Sequence, residues 1–213
     1  MKKGKLFKIV FLLFVCFWAI LPVSAVEMWE GRPQRWDIFV NGAYQTISCD
    51  YSRIPSSHPC YGTIYSAVTR FNNTSPSSVR ANYSSISVSA NVFHQVTSQN
   101  YWNQIAHVRW AYGFTVPTDE NGRKYYDRED FYAQDAPSVI NIKRADIYYN
   151  PNTSNFDGKT YDFFIVLAMH ELGHAYGLGH DPGTVMNDSP LPQYASGLTA
   201  RDKQALQAFY GGT

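Results

Sequence analysis

The chain has 213 residues, 45% of them hydrophobic and 16% aromatic, with 18 basic residues, 17 acidic ones and a formal charge of +1. No basic patch interrupts this balance, which excludes the electrostatic footprint of a nucleic-acid or anionic-lipid binder. The length suits one domain with a sizeable core. The chain opens Met1-Lys2-Lys3-Gly4-Lys5, continues with an unbroken apolar run from Ile9 to Leu21, and then reads Pro22-Val23-Ser24-Ala25. A basic start, a short apolar core and small residues at its end predict a signal peptide over residues 1–25, cleaved after Ala25. Thirteen apolar residues at 1.5 Å each reach about 20 Å, too short for a ~30 Å hydrocarbon core. The expected product is secreted and extracellular, with no stable membrane association. Cleavage removes Lys2, Lys3, Lys5 and Lys8 and no acid, so 14 basic residues face 17 acidic ones and the charge becomes −3. Oligomeric state is not legible.

Residues 26–45 hold Trp29 and Trp36 among polar residues without a clear period, and read as an N-terminal arm before a single catalytic domain over residues 46–213. The two cysteines left after cleavage, Cys49 and Cys60, form an even pair in an exported chain and predict a disulfide. Ile64, Ala67, Val68 and Phe71 recur at helical spacing up to Asn72-Asn73. Two strands follow from strict alternation: Ile86, Val88, Ala90 and Val92, then Ala106, Val108, Trp110, Tyr112 and Phe114. Residues 117–137 are polar, with an Asn121-Gly122 turn, and read as a long surface loop. Ala145, Ile147 and Tyr149 make another short strand before Asn150-Pro151. A helix is expected from Phe163 to Tyr176 with Asp162 as its N-cap. The last helix runs from Leu198 to Tyr210, with the capping box Thr199-x-x-Asp202 at its start and Gly211 at its stop.

The segment His170-Glu171-Leu172-Gly173-His174-Ala175-Tyr176-Gly177-Leu178-Gly179-His180 carries the chemistry. On a helix His170 and His174 stand one turn apart, so both imidazoles project toward one point. Gly177 can take φ > 0, which ends the helix and turns the chain so that His180 completes a three-nitrogen set. Three neutral imidazoles leave a fourth position on Zn²⁺ for water, the pattern of a catalytic site. Glu171 follows the first ligand directly, where a carboxylate can act on that water as general base. HExxH alone arises by chance in solvated helices; the added Gly177 and His180 make the match specific. A structural zinc in a binding or adhesion module would have no use for Glu171.

These residues resemble the metzincin metallopeptidases, and the segment in context looks most like a bacterial-type, secreted matrixin, the matrix-metalloproteinase type. The stretch Ala145-Asp146-Ile147 and the ending Leu198-Thr199…Phe209-Tyr210-Gly211 are similar to matrixin stretches. The resemblance implies an α+β, zincin-like fold: a twisted mixed sheet above a cleft, an active-site helix and a C-terminal helix, with a lower subdomain after Gly177. It implies a zinc-dependent endopeptidase acting on protein or peptide substrates, with one catalytic Zn²⁺. Thr184-Val185-Met186-Asn187 resembles the metzincin Met-turn, which makes Met186 an apolar floor beneath the imidazoles. Leu191, Pro192 and Tyr194 resemble the pocket wall for the residue after the scissile bond, at a wider spacing from Met186 than usual. An extended substrate is expected to pair with an edge strand in the polar stretch before Ala145. Asp181, directly after the third histidine, is a residue of the reprolysin-type branch, whereas animal matrixins usually carry serine there. No Pro-Arg-Cys-Gly run is present to make either cysteine a latency switch on zinc. His94 and His107 lack the spacing of the matrixin structural zinc site. Loop oxygens between Asp119 and Asp127 could take Ca²⁺, without a spacing that assigns it.

Overall fold

The computed structural model describes residues 28–29, 32–36, 39–40, 43–44, 46–84, 92–97, 106–112 and 140–212. The expected signal peptide, the loop over 117–137 with its calcium-binding candidates, and all but Val92 of the strand expected from Ile86 lie outside them. Nine strands and three α-helices are described: β1 (Met28–Trp29), β2 (Arg32–Trp36), β3 (Phe39–Val40), β4 (Ala43–Tyr44), β5 (Ile47–Arg53), α1 (Ile64–Thr74), β6 (Ala81–Ser84), β7 (Val92–Thr97), β8 (Ala106–Tyr112), β9 (Ile140–Tyr149), α2 (Tyr161–Ala175) and α3 (Ala200–Tyr210).

The sheet is mixed. β6, β5, β7 and β9 lie side by side and parallel, and β8 pairs antiparallel along the other edge of β9. β2 runs parallel to the start of β9, so that Ile142 is flanked by Trp36 on one side and Tyr112 on the other. β3 and β4 form a separate hairpin. The segment read as an arm therefore supplies a strand to the main sheet. β9 is longer than its sequence period suggested, and residues 145–150 are all buried, as befits a central strand covered on both faces. β5 is not among the expected strands, although Ile47, Cys49 and Tyr51 alternate with Ser48, Asp50 and Ser52 as residues of a strand do; Asp50 is nonetheless buried and accepts from Ser52 N–H at 2.9 Å.

α1 buries Ile64, Ala67, Val68 and Phe71, the stripe its sequence displays. α2 is buried along nearly its whole length, from Phe163 to Gly173, and forms the spine of the molecule. Its N-cap is Thr160, not Asp162: Thr160 has extended backbone and its hydroxyl accepts from Phe163 N–H at 3.2 Å. Asp162 sits instead in the first turn, where its charge favours the helix dipole. α3 keeps the expected capping box, Thr199 with Asp202, and ends at Gly211 with φ +67°. Trp36 joins these parts. Its indole N–H donates to Ala175 O at 2.8 Å, satisfying a carbonyl at the end of α2, and its backbone N–H donates to Tyr210 Oη at 3.1 Å.

The expected Cys49–Cys60 disulfide is not formed; both cysteines are buried thiols. Each fills the core as a small apolar side chain, a common role for cysteine that an even count does not reveal. The loop between them is tied by His58 instead. Cys60 N–H donates to His58 Nδ1 at 3.2 Å, which leaves Nε2–H to donate to Asn150 O at 2.9 Å.

Candidate active site

The C-terminal half of α2 places His170 and His174 with ring centroids 4.5 Å apart. The helix then closes on Gly177, whose φ of +90° is open only to glycine without strain. Gly177 N–H donates to His174 O at 2.8 Å and Leu178 N–H to Gly173 O at 2.9 Å, the paired bonds of a Schellman motif. That turn brings His180 back to the helix, its ring 4.7 Å from His174 and 5.3 Å from His170. Nitrogens of the three rings lie within 4.8 Å of one another, and His174 Nε2 and His180 Nε2 are 3.1 Å apart. Among the described residues this is the group of His, Cys, Asp or Glu side chains that could hold a metal ion.

The outer nitrogen of each ring has its own acceptor. His170 Nδ1 donates to Val185 O at 3.0 Å, His174 Nδ1 to Leu178 O at 2.7 Å, and His180 Nδ1 to Asp188 Oδ1 at 2.9 Å. An acceptor at Nδ1 fixes the proton there and leaves the Nε2 lone pair for a metal. Burial, with the neighbouring histidines adding to it, lowers the pKa of His170 to about 3, so its ring is neutral as a ligand must be. Three imidazoles gathered in this way could hold Zn²⁺, which takes nitrogen ligands at about 2.0–2.1 Å.

Met186 is fully buried. A Cβ on Gly173 would overlap Met186 Sδ and come within 3.1 Å of its Cε, so the glycine inside the motif is the space the methionine occupies. The turn carrying Met186 is closed on itself: Asp181 N–H donates to Met186 O at 2.8 Å, Thr184 Oγ1 donates to Asp181 O at 2.8 Å, and Met186 N–H donates to Thr184 Oγ1 at 3.0 Å. Asp202, legible in the sequence only as a cap, also accepts from Val185 N–H at 3.2 Å and so steadies the carbonyl that orients His170.

Glu171 is buried beside His170, three residues before His174 and on its flank of the helix. Its charge reaches Cys60 and Tyr149, whose acidities burial already suppresses. Asp181 is buried and pairs with Arg201 at the start of α3, which also donates to Pro182 O at 3.2 Å. Leu191 caps a short 3₁₀ turn over Pro192–Tyr194; Leu191 and Tyr194 are half-buried, Pro192 is exposed, and Tyr194 Oη donates to Gly183 O at 2.7 Å. The polar stretch before Ala145, expected to hold the substrate-binding edge, lies outside the described residues up to 139, and its end from Ile140 belongs to β9, which pairs with β2 and β8; β8 pairs with β9 alone among the described residues. His94 and His107 fall on β7 and β8. The anchoring roles of Asp188 and of the Val185 and Leu178 carbonyls carried no sequence signal, because each depends on how a turn folds back.

The sequence matches the family described as Matrixin over residues 69–211, from α1 to the end of α3. No curated protein matches the chain.

Proposed function

We propose, for a chain that belongs to the matrixin family and is a zinc-dependent metalloendopeptidase, that Glu171 is the general base of peptide hydrolysis and that the enzyme works outside the cell. His170, His174 and His180 would hold the zinc, and Met186 would floor the site. Zinc in such a site supplies Lewis acidity, which lowers the pKa of water toward ~7 and stabilises charge on a peptide carbonyl. Glu171 takes the proton from water as its oxygen adds to the carbonyl carbon, then delivers that proton to the amine as the C–N bond breaks. No covalent enzyme intermediate is needed. The observations that carry the reading are the burial of Glu171, which follows His170 directly on α2, and the three clustered histidines whose outer nitrogens are all anchored.

Export rests on the sequence: residues 1–25 have the layout of a cleavable signal, and the catalytic domain follows, its sheet taking β1 and β2 from residues 26–45. Among the described residues β8 pairs with β9 alone, so an extended substrate would add to its other side, and Leu191, Pro192 and Tyr194 would wall the pocket for the residue after the cut. Glu171→Ala tests the mechanism. Zinc content should stay at one ion per chain while turnover of a peptide mixture falls by about 10²–10⁴-fold. Near-normal turnover with zinc bound would remove Glu171 from the chemistry.

A further inference from the structure

The three histidines are not held alike. His170 and His174 sit on α2 and point their outer nitrogens at backbone carbonyls, Val185 O and Leu178 O, within buried turns. His180 lies beyond the helix end, its side chain is 52% exposed, and its outer nitrogen meets a side chain, the Asp188 carboxylate at 2.9 Å. We propose that Asp188 is a positioning residue for the third zinc ligand: it fixes the His180 tautomer, aims Nε2 at the metal and sets how firmly the protein keeps its zinc. The proposal rests on the three-histidine zinc site.

Three observations support it. Asp188 is 77% exposed, and an exposed pair of this kind adds little to folding, so its contact with His180 has no large structural benefit to explain it. Its loop is built to present it: Asn187 accepts from Gly183 N–H at 3.2 Å through Oδ1 and donates to Ser189 O at 2.8 Å through Nδ2, bracketing Asp188 on both sides. The same loop supplies Val185 O to His170 and Met186 to the floor, so one turn orients two of the three ligands. A carboxylate acceptor also makes its imidazole a stronger donor than a carbonyl does, and puts negative charge near a dication. His180 lacks the helix that restrains the other two rings and is the most exposed of the three, so it depends most on such an anchor.

The test is zinc affinity of the purified protein, measured by competition with a chromophoric chelator at fixed pH, for the native chain, Asp188→Ala and Asp188→Asn. Loss of an outer-shell partner of a metal-binding histidine typically costs 10–100-fold in affinity, and that loss is expected for the alanine variant. Asparagine keeps an acceptor oxygen without the charge and should fall between. The unfolding midpoint of the metal-free protein should be the same in all three, which separates an effect on zinc from one on the fold. Zinc binding by Asp188→Ala within twofold of the native chain would overturn the proposal and leave the three-histidine site standing. Failure of the native chain to bind zinc would overturn both.

Discussion

Replacing Gly173 by alanine sets two well-understood effects against each other. In a helix interior alanine is better than glycine by about 0.8–1.0 kcal/mol, so an uncrowded site would be stabilised. Here the new methyl would overlap Met186 Sδ and press on Met186 Cε at 3.1 Å and Leu178 Cδ1 at 3.4 Å. Met186 has no room to retreat, because it is fully buried and its N–H and carbonyl are bonded to Thr184 and Asp181. Forcing a methyl into such packing costs roughly 1–3 kcal/mol, so the net expectation is a loss of about 0–2 kcal/mol. The zinc site should suffer more than the fold. The displaced methionine pushes on the turn that bears Val185 O and Asp188, and with them the anchors of His170 and His180. A double-mutant cycle reads this directly through chemical denaturation of the metal-free protein and chelator competition for zinc. In a Met186→Ala background the clash is gone, so Gly173→Ala should become stabilising, with a coupling of about 0.5–3 kcal/mol between the two positions. If Gly173→Ala alone gains the full helix propensity and binds zinc normally, Met186 does not fill that space and the account of the floor is wrong.

Both cysteines should be present as thiols: the intact mass of native material should not change on reduction, and Cys60, buried and pushed away from the thiolate, should resist alkylation until the protein unfolds. Acid should destabilise the metal-free protein, because burial depresses the folded-state pKa of His170 to about 3 and lowers that of His58. The unfolded chain then binds more protons below its histidine pKa of about 6.5, so stability is fully present above that pH and falls below it, with a limiting slope of about 1.4 kcal/mol per pH unit for each histidine. Denaturant titrations from pH 7.5 to 4.5 measure this, and a flat profile would contradict the buried, neutral rings. Cleavage mapping should show Leu, Ile, Met, Phe or Tyr just after most cuts, since burying such a side chain is worth roughly 1.5–3 kcal/mol; Tyr194→Ala should weaken that bias, and charged or small residues there would rule the pocket out.

What the sequence displayed was governed by local rules. The stripe Ile64, Ala67, Val68 and Phe71 gives α1, the alternation from Ala106 gives β8, and the Thr199–Asp202 box gives the start of α3. The histidine spacing and Gly177 work in the same way, because helix pitch and a positive φ are properties of a few neighbouring residues. What stayed hidden depends on distant pieces of chain. Asp50 of β5 is buried on a position whose polarity points outward, and Trp36 gives no sign of the Ala175 carbonyl it satisfies, 139 positions further along the chain. Cysteine parity failed for the same reason: an even count says nothing about where two side chains point, and His58 ties the loop that a bridge was expected to close. The active site divides along this line. Ligand identity is a local property of α2 and its closing turn. The strength with which the ligands are held depends on a loop that returns from Asp181 to Ser189 and is braced by Asp202 of α3. A chain could therefore keep every residue of the zinc motif and still hold its metal poorly, if the returning loop lost Asp188 or the Asp202 brace. Matching the motif establishes which atoms can bind zinc, whereas the affinity has to be sought in residues that the motif does not contain.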